Sequence, residues 1–270
     1  MSGFLQQLAE ALIAQHGSDL REVAVVLPNR RSALHLRKHL AGALGHAFWS
    51  PRCFTLEEFM EAISERKALG TVELLLEFHA CLRSVRPGAS EPLEEFLQWA
   101  PTTLNDMNEV DAHLVDRERF YRDLRAIDEL DRWSVAYGHY LSPGQARLVR
   151  YWELKRDLHE AFDRTLAERG LGTRGMVERA AADRALKAQV PWSRVWFAGA
   201  NALTKAQAAV VRAMRLRGLA TFAWDADRYY LDDPDQEAGG HLRDLLSEHG
   251  PGVIPLSEGF EFINRLIILG

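Results

Sequence analysis

The sequence predicts an α/β fold: a parallel sheet interrupted by a large helical insertion. Three short, unbroken apolar runs carry the sheet, at Val23 to Leu27, Val195 to Gly199 and Ala220 to Trp224. Runs of this length without polar alternation are the mark of strands covered on both faces. The stretch from about 55 to 185 contrasts with them, because its apolar residues recur at the helical period. Strand, helix and strand at the spacing of residues 195–224 is a βαβ unit, and ligands of such sheets sit at the carboxyl ends of the strands.

The elements follow in order. Leu5, Leu8, Leu12 and Ile13 define an amphipathic first helix. Glu10 and the absence of early Lys or Arg exclude a signal peptide there. The Val23 to Leu27 strand is closed by Pro28-Asn29, and Ser32 to Ala41 should be a helix with Leu34, Leu36 and Leu40 inward. Phe54 to Phe59 reads as a short strand and then a helix capped by Thr55, with Glu58 closing a capping box. Leu74, Leu75, Phe78 and Leu82 mark one helix face, and Phe96, Leu97 and Trp99 another. Leu148, Trp152, Leu158 and Phe162 mark a long polar helix. Pro87-Gly88, Ser142-Pro143-Gly144 and Gly170 to Gly175 are expected breaks. Thr204 caps the helix that ends at Leu216. Residues 1–54 and 186–256 should therefore form a discontinuous α/β domain, with 55–185 as the helical insertion. Glu261-Phe262 matches an in-frame EcoRI site, and Ile263, Ile267 and Ile268 crowd a chain otherwise poor in isoleucine. Residues 257–270 are expected to be a non-native tail, with a native terminal strand as the alternative.

Composition narrows the function classes. Apolar residues at 47% and charged residues at 26% exclude disordered, collagen-like and disulfide-scaffold chains. Cys53 and Cys81 form no CxxC and are expected to be buried, free thiols of a reduced, cytoplasmic protein. No stretch approaches the ~20 apolar residues of a membrane span. A net charge of -5 argues against a uniformly basic nucleic-acid binder, although a local basic strip remains compatible with it.

No GxxxxGK[ST], GxSxG, HExxH or dinucleotide fingerprint is present, so neither cofactor nor metal is expected. His35 and His39 are four residues apart but have no placed third ligand, which fits a half-exposed helix face better than zinc. Pro28-Asn29-Arg30-Arg31, with Lys38 beyond, puts guanidinium and backbone N–H groups where a phosphate could dock. The alternative is a solvated turn whose arginines pair with local carboxylates. Trp224-Asp225-Ala226-Asp227-Arg228-Tyr229-Tyr230 follows another strand end. Its paired Asp could hold a metal and its Tyr rings could stack on bases, or they could be a cap and core. In a parallel sheet both turns are expected at the carboxyl edge of neighbouring strands. The acidic run Asn105 to Asp111 lacks EF-hand spacing and is expected to be a solvated helix.

These runs, with Trp49-Ser50-Pro51, Phe96-Leu97-Gln98-Trp99, Leu104 to Asp111, Phe197 to Thr204 and Gln236-Glu237-Ala238-Gly239, resemble in order and spacing the N-terminal part of AddB-like proteins. That family is an inactivated superfamily I helicase type ending in a PD-(D/E)XK nuclease domain, and the match spans about residues 4–245. The resemblance implies a RecA-like, degenerate helicase 1A domain. It implies that Asn29, Arg30 and Arg31, with Lys38 and with Arg228, Tyr229 and Tyr230 near motif III, contact single-stranded DNA. Ala198 falls at the degenerate Walker B position, where a magnesium-binding Asp would be expected. The family's nuclease motif lies beyond residue 270.

The function implied is a non-catalytic DNA-binding and assembly module of a recombination-repair helicase–nuclease. It would be unable to hydrolyse ATP, and its partners would be single-stranded DNA and an AddA-like motor subunit. The alternative is an esterase-like hydrolase, for which Ser32, Ser142 and Ser193 are the available nucleophiles and His16, His35 and His139 the available bases.

Overall fold

The computed structural model describes residues 3–85, 87, 92–123, 143–233 and 235–254. The chain divides into two compact units, Met1–Ile63 with Arg184–Gly270, and Ser64–Asp183.

The first unit is built on four parallel strands in the order β2-β1-β5-β6. These are β1 (Val23–Leu27), β2 (Arg52–Thr55), β5 (Arg194–Ala198) and β6 (Ala220–Ala223). All five residues of β1 are buried, as a central strand flanked on both sides requires. The three strands expected from the apolar runs are thus present and parallel. Gly199 and Trp224 fall just beyond their strands, Gly199 with φ 70° in the left-handed region.

One face of the sheet is covered by α1 (Phe4–His16) and α2 (Arg30–Leu44), which pack against each other. Leu8, Leu12, Leu20, Leu36, Leu40 and Trp196 form that core. Leu34 is a correction: it is 66% exposed, because it lies about 200° around the helix from Leu36. Cys53 is half-buried rather than buried, while Cys81 is buried, and both are free. The other face carries aromatic residues. Phe59 meets Phe54 and Phe197 edge-on at centroid distances of 5.9 and 5.6 Å, and Phe197 stacks on Phe222. Such pairs add about 0.5–1.5 kcal/mol each beyond the area they bury.

The expected caps are formed. Thr55 and Glu58 exchange hydrogen bonds of 2.8 and 3.2 Å at the start of α3 (Leu56–Ser64). Thr204 and Gln207 do the same at α8 (Lys205–Leu216).

The second unit contains α4 (Thr71–Val85), α5 (Leu93–Ala112), α6 (Pro143–Ala167) and α7 (Arg174–Arg184). Phe78, Leu82, Phe96, Met107, Leu158 and Phe162 fill its core. Leu97 is 43% exposed, one residue out of phase with Phe96. A two-stranded parallel ladder, β3 (Lys67–Ala68) with β4 (Leu171–Gly172), lies inside the region expected to be a helical insertion, β4 at its expected Gly170 to Gly175 break. Two residues per strand are too few to show a period. Pro143 opens α6 at the expected break, since a missing N–H costs nothing at a first turn. Gly88, Ser142 and residues 257–270 lie outside the described residues, as do the side chains of Leu148 and Trp152.

The acidic run of α5 is the largest departure from the sequence reading. Asp111 is fully buried rather than solvated. Its Oδ1 accepts hydrogen bonds from Arg117 and Arg179 at 2.7 and 2.9 Å, and its Oδ2 lies 2.9 Å from His159 Nε2. His159 Nδ1 is 2.9 Å from the Tyr121 hydroxyl. Arg117 continues to Asp163, which Arg66 also holds, both at 2.9 Å. Asp106 accepts from the buried Lys155 at 2.8 Å, and Asn108 Oδ1 accepts the N–H of Gly175 at 2.6 Å. Burial alone would raise the Asp111 pKa, but the His159 contact and the charges of His159 and Arg117 outweigh it and hold the carboxyl below its ordinary value. Tyr121 is pushed up, first by burial and then by Asp111.

Candidate nucleic-acid interface

The carboxyl edge of the sheet in the first unit carries the candidate turns, while Lys38 lies about two turns further along α2. β1 ends at Leu27, and Asn29 turns the chain into α2 by capping it. Its Oδ1 accepts from the backbone N–H of Ser32 at 2.8 Å and from the Ser32 hydroxyl at 3.1 Å. The Asn29 side chain is therefore engaged in setting the turn. Arg30 places Nε and Nη2 each 2.8 Å from Glu58 Oε1, yet its side chain stays 83% exposed. Glu58 is held below the usual carboxylate range, first by the Thr55 N–H and then by Arg30. Arg31 and Lys38 are exposed and make no hydrogen bond or ion pair among the described residues. The competing reading of the two arginines thus describes Arg30, which pairs with a local carboxylate, and leaves Arg31 facing solvent.

The strand order reverses direction between β1 and β5, the point at which open α/β sheets take their ligands. Here the opening is narrowed by apolar groups. A Cβ on Gly199 would stand 3.3 Å from Pro28 Cγ and 3.6 Å from Phe4 Cε1. Ala198, 1% exposed at the end of β5, offers no side-chain oxygen to a metal ion.

The second turn follows β6. Trp224 is buried and its indole donates to the Gly250 carbonyl at 2.9 Å. Asp227 is buried and caps α9 (Arg228–Asp232) by accepting the Tyr229 N–H at 2.9 Å. This occupies one of the paired carboxylates considered as metal ligands, and no metal-holding group of three ligands occurs among the described residues. Arg228 is exposed, Tyr229 is 51% exposed, and Tyr230 is half-buried with its ring edge-on to Tyr229 at 5.1 Å. Arg243 holds this turn by donating to the carbonyls of Tyr230, Asp233 and Gln236 at 2.9, 3.0 and 2.9 Å. The two turns share the carboxyl edge but do not spring from neighbouring strands. β5 lies between β1 and β6, which sets the strand ends roughly 10 Å apart.

Charge separates the turns further. From Val23 to Leu56 there is no Asp or Glu, while Arg30, Arg31, Arg37, Lys38 and Arg52 supply five cations. Residues 225–237 contain Asp225, Asp227, Asp232, Asp233, Asp235 and Glu237 against Arg228 alone. A polyanion is attracted to the first segment and repelled by the second. The acid-free run was legible in the sequence. The Arg30–Glu58 pair and the Arg243 clamp join residues with no spacing signal, and only folding reveals them.

No Ser–His hydrogen bond occurs among the described residues. Ser32 is bonded to Asn29, and Ser193 Oγ donates to the Glu22 carbonyl at 3.3 Å. His16 Nε2 accepts from the Trp196 indole at 3.2 Å. Burial, then the nearby Arg194, lowers its pKa, which suits that acceptor role. His35 is exposed, and Ser142 and His139 lie outside the described residues.

The fold and this edge define an α/β protein with a four-stranded parallel sheet, compatible with the Rossmann and RecA-like classes. No protein-family model matches the chain, and no curated protein matches it either. No described helix is long and apolar enough to cross a membrane.

Proposed function

We propose that this chain is a non-catalytic DNA-binding and assembly module of the AddB-like type. It would grip single-stranded DNA beside a motor subunit without hydrolysing ATP. The observation that carries the reading is the exposed, acid-free cationic segment that leaves the carboxyl end of β1. Phosphate contacts of this kind bind all sequences alike and release counterions, so affinity falls steeply with salt. ATP hydrolysis needs a phosphate loop and a magnesium-binding carboxylate. The sequence has no such loop, and the AddB-like resemblance sets Ala198 where the carboxylate would be expected.

Fluorescence anisotropy with a labelled single-stranded oligonucleotide at low and high salt tests the reading. Wild-type protein should bind at low salt, and Arg30→Ala/Arg31→Ala should bind more weakly, with a flatter salt dependence. Absence of wild-type binding at low salt, or equal binding by the variant, would refute it. Micromolar, magnesium-dependent ATP affinity by calorimetry would refute the non-catalytic part.

A further inference from the structure

The outward face of α2 carries its cations further than the turn from which it springs. Arg31, His35 and Lys38 stand at positions i, i+4 and i+7, which share one helix face. All three are exposed, and none makes a hydrogen bond or ion pair among the described residues. Leu34, on the same face, is 66% exposed. The opposite face is fixed, since Leu36 and Leu40 are buried in the core and the helix packs on α1. α2 is therefore anchored on one side and offers a rigid cationic stripe on the other. Asn29 and Arg30, by contrast, are already engaged by Ser32 and Glu58.

We infer that α2 is a lengthwise track for a single strand of DNA, with phosphates at Arg31 and Lys38, about 10 Å apart along the helix axis. His35 meets the backbone between them, and Leu34 gives an apolar surface to a sugar or base. This inference rests on the DNA-binding reading above and adds the course of the strand: along α2 and away from Tyr229, whose surroundings are anionic. Charge complementarity selects a polyanion. An anionic membrane surface fits less well, because membrane-surface helices insert an apolar face and that of α2 is taken by the core.

The test uses the full chain and a fluorescein-labelled single-stranded oligonucleotide. Leu34→Glu puts a carboxylate between the two cations and should weaken binding by about tenfold at low salt. Lys38→Ala should weaken it about threefold and reduce the salt slope by about 0.7, one single-strand phosphate contact. Circular dichroism should show Leu34→Glu folded, since little of that side chain is buried; if it does not fold, Lys38→Glu replaces it with the same expectation. If Arg31→Ala loses affinity while Leu34→Glu and Lys38→Ala bind like wild type, the track is wrong and the DNA-binding reading survives. Wild-type failure to bind at low salt overturns both. Binding to anionic phospholipid vesicles in preference to the oligonucleotide also overturns the track.

Discussion

The cationic segment of α2 and the acidic run of α5 are both dense in charge, and the fold uses them in opposite ways. Around α2, Arg31 and Lys38 point outward and nothing in the fold depends on them. In α5, Asp111 points inward and gathers Arg117, Arg179 and His159, tying several segments of the second unit together. An exposed charge keeps its hydration and can exchange it for a ligand. A buried charge has already lost its water and is tolerable only while every partner stays in place. The contrast predicts that substitutions in α5 will be read in stability and substitutions in α2 in binding.

The largest effect should come from Asp111→Ala. Removing one member of a buried ion network leaves its partners uncompensated, at a cost of about 3–5 kcal/mol. Urea denaturation followed by circular dichroism measures it, and a loss no larger than that of an exposed substitution would make the network dispensable. Acid should act on the same group. Its folded pKa is depressed, so its contribution is complete above the ordinary carboxylate pKa of about 4 and is lost as pH falls through the lower folded value. The urea midpoint of wild type should fall in that acidic window, and that part of the slope should vanish in Asp111→Asn.

Arg30→Ala/Arg31→Ala should shift stability by no more than about 0.5 kcal/mol, as exposed substitutions do. A loss comparable to that of Asp111→Ala would erase the distinction between the two regions. A change of similar size concerns Glu58. Glu58→Gln retains a capping-box residue beside Thr55 but frees Arg30 from its carboxylate. Oligonucleotide affinity at low salt should rise about two- to threefold, one exposed ion pair being worth under about 1 kcal/mol. An unchanged affinity would mean that Arg30 takes no part in binding.

Much of the first unit was readable because its signals are local. Unbroken apolar runs at β1, β5 and β6, and the cap residues Thr55 and Thr204, act on chain neighbours. Within the candidate site, the position of Asn29 to Arg31 past a strand end was equally local. The inward register of Leu34 was misplaced because a helix face cannot be set from leucines two residues apart. The neighbour relation of β1 and β6 was misplaced because strand order is a property of chain crossovers.

The sequence by itself determined the apolar runs that become β1, β5 and β6, the capped starts of α3 and α8, and that one stretch of chain carries cations without acids. The tertiary structure decided which charges meet. Arg30 finds Glu58 across 28 residues, and Arg179 finds Asp111 across 68. Helical period, caps and apolar runs are fixed by interactions a few residues long. The burial of a charge depends on what distant segments bring to it.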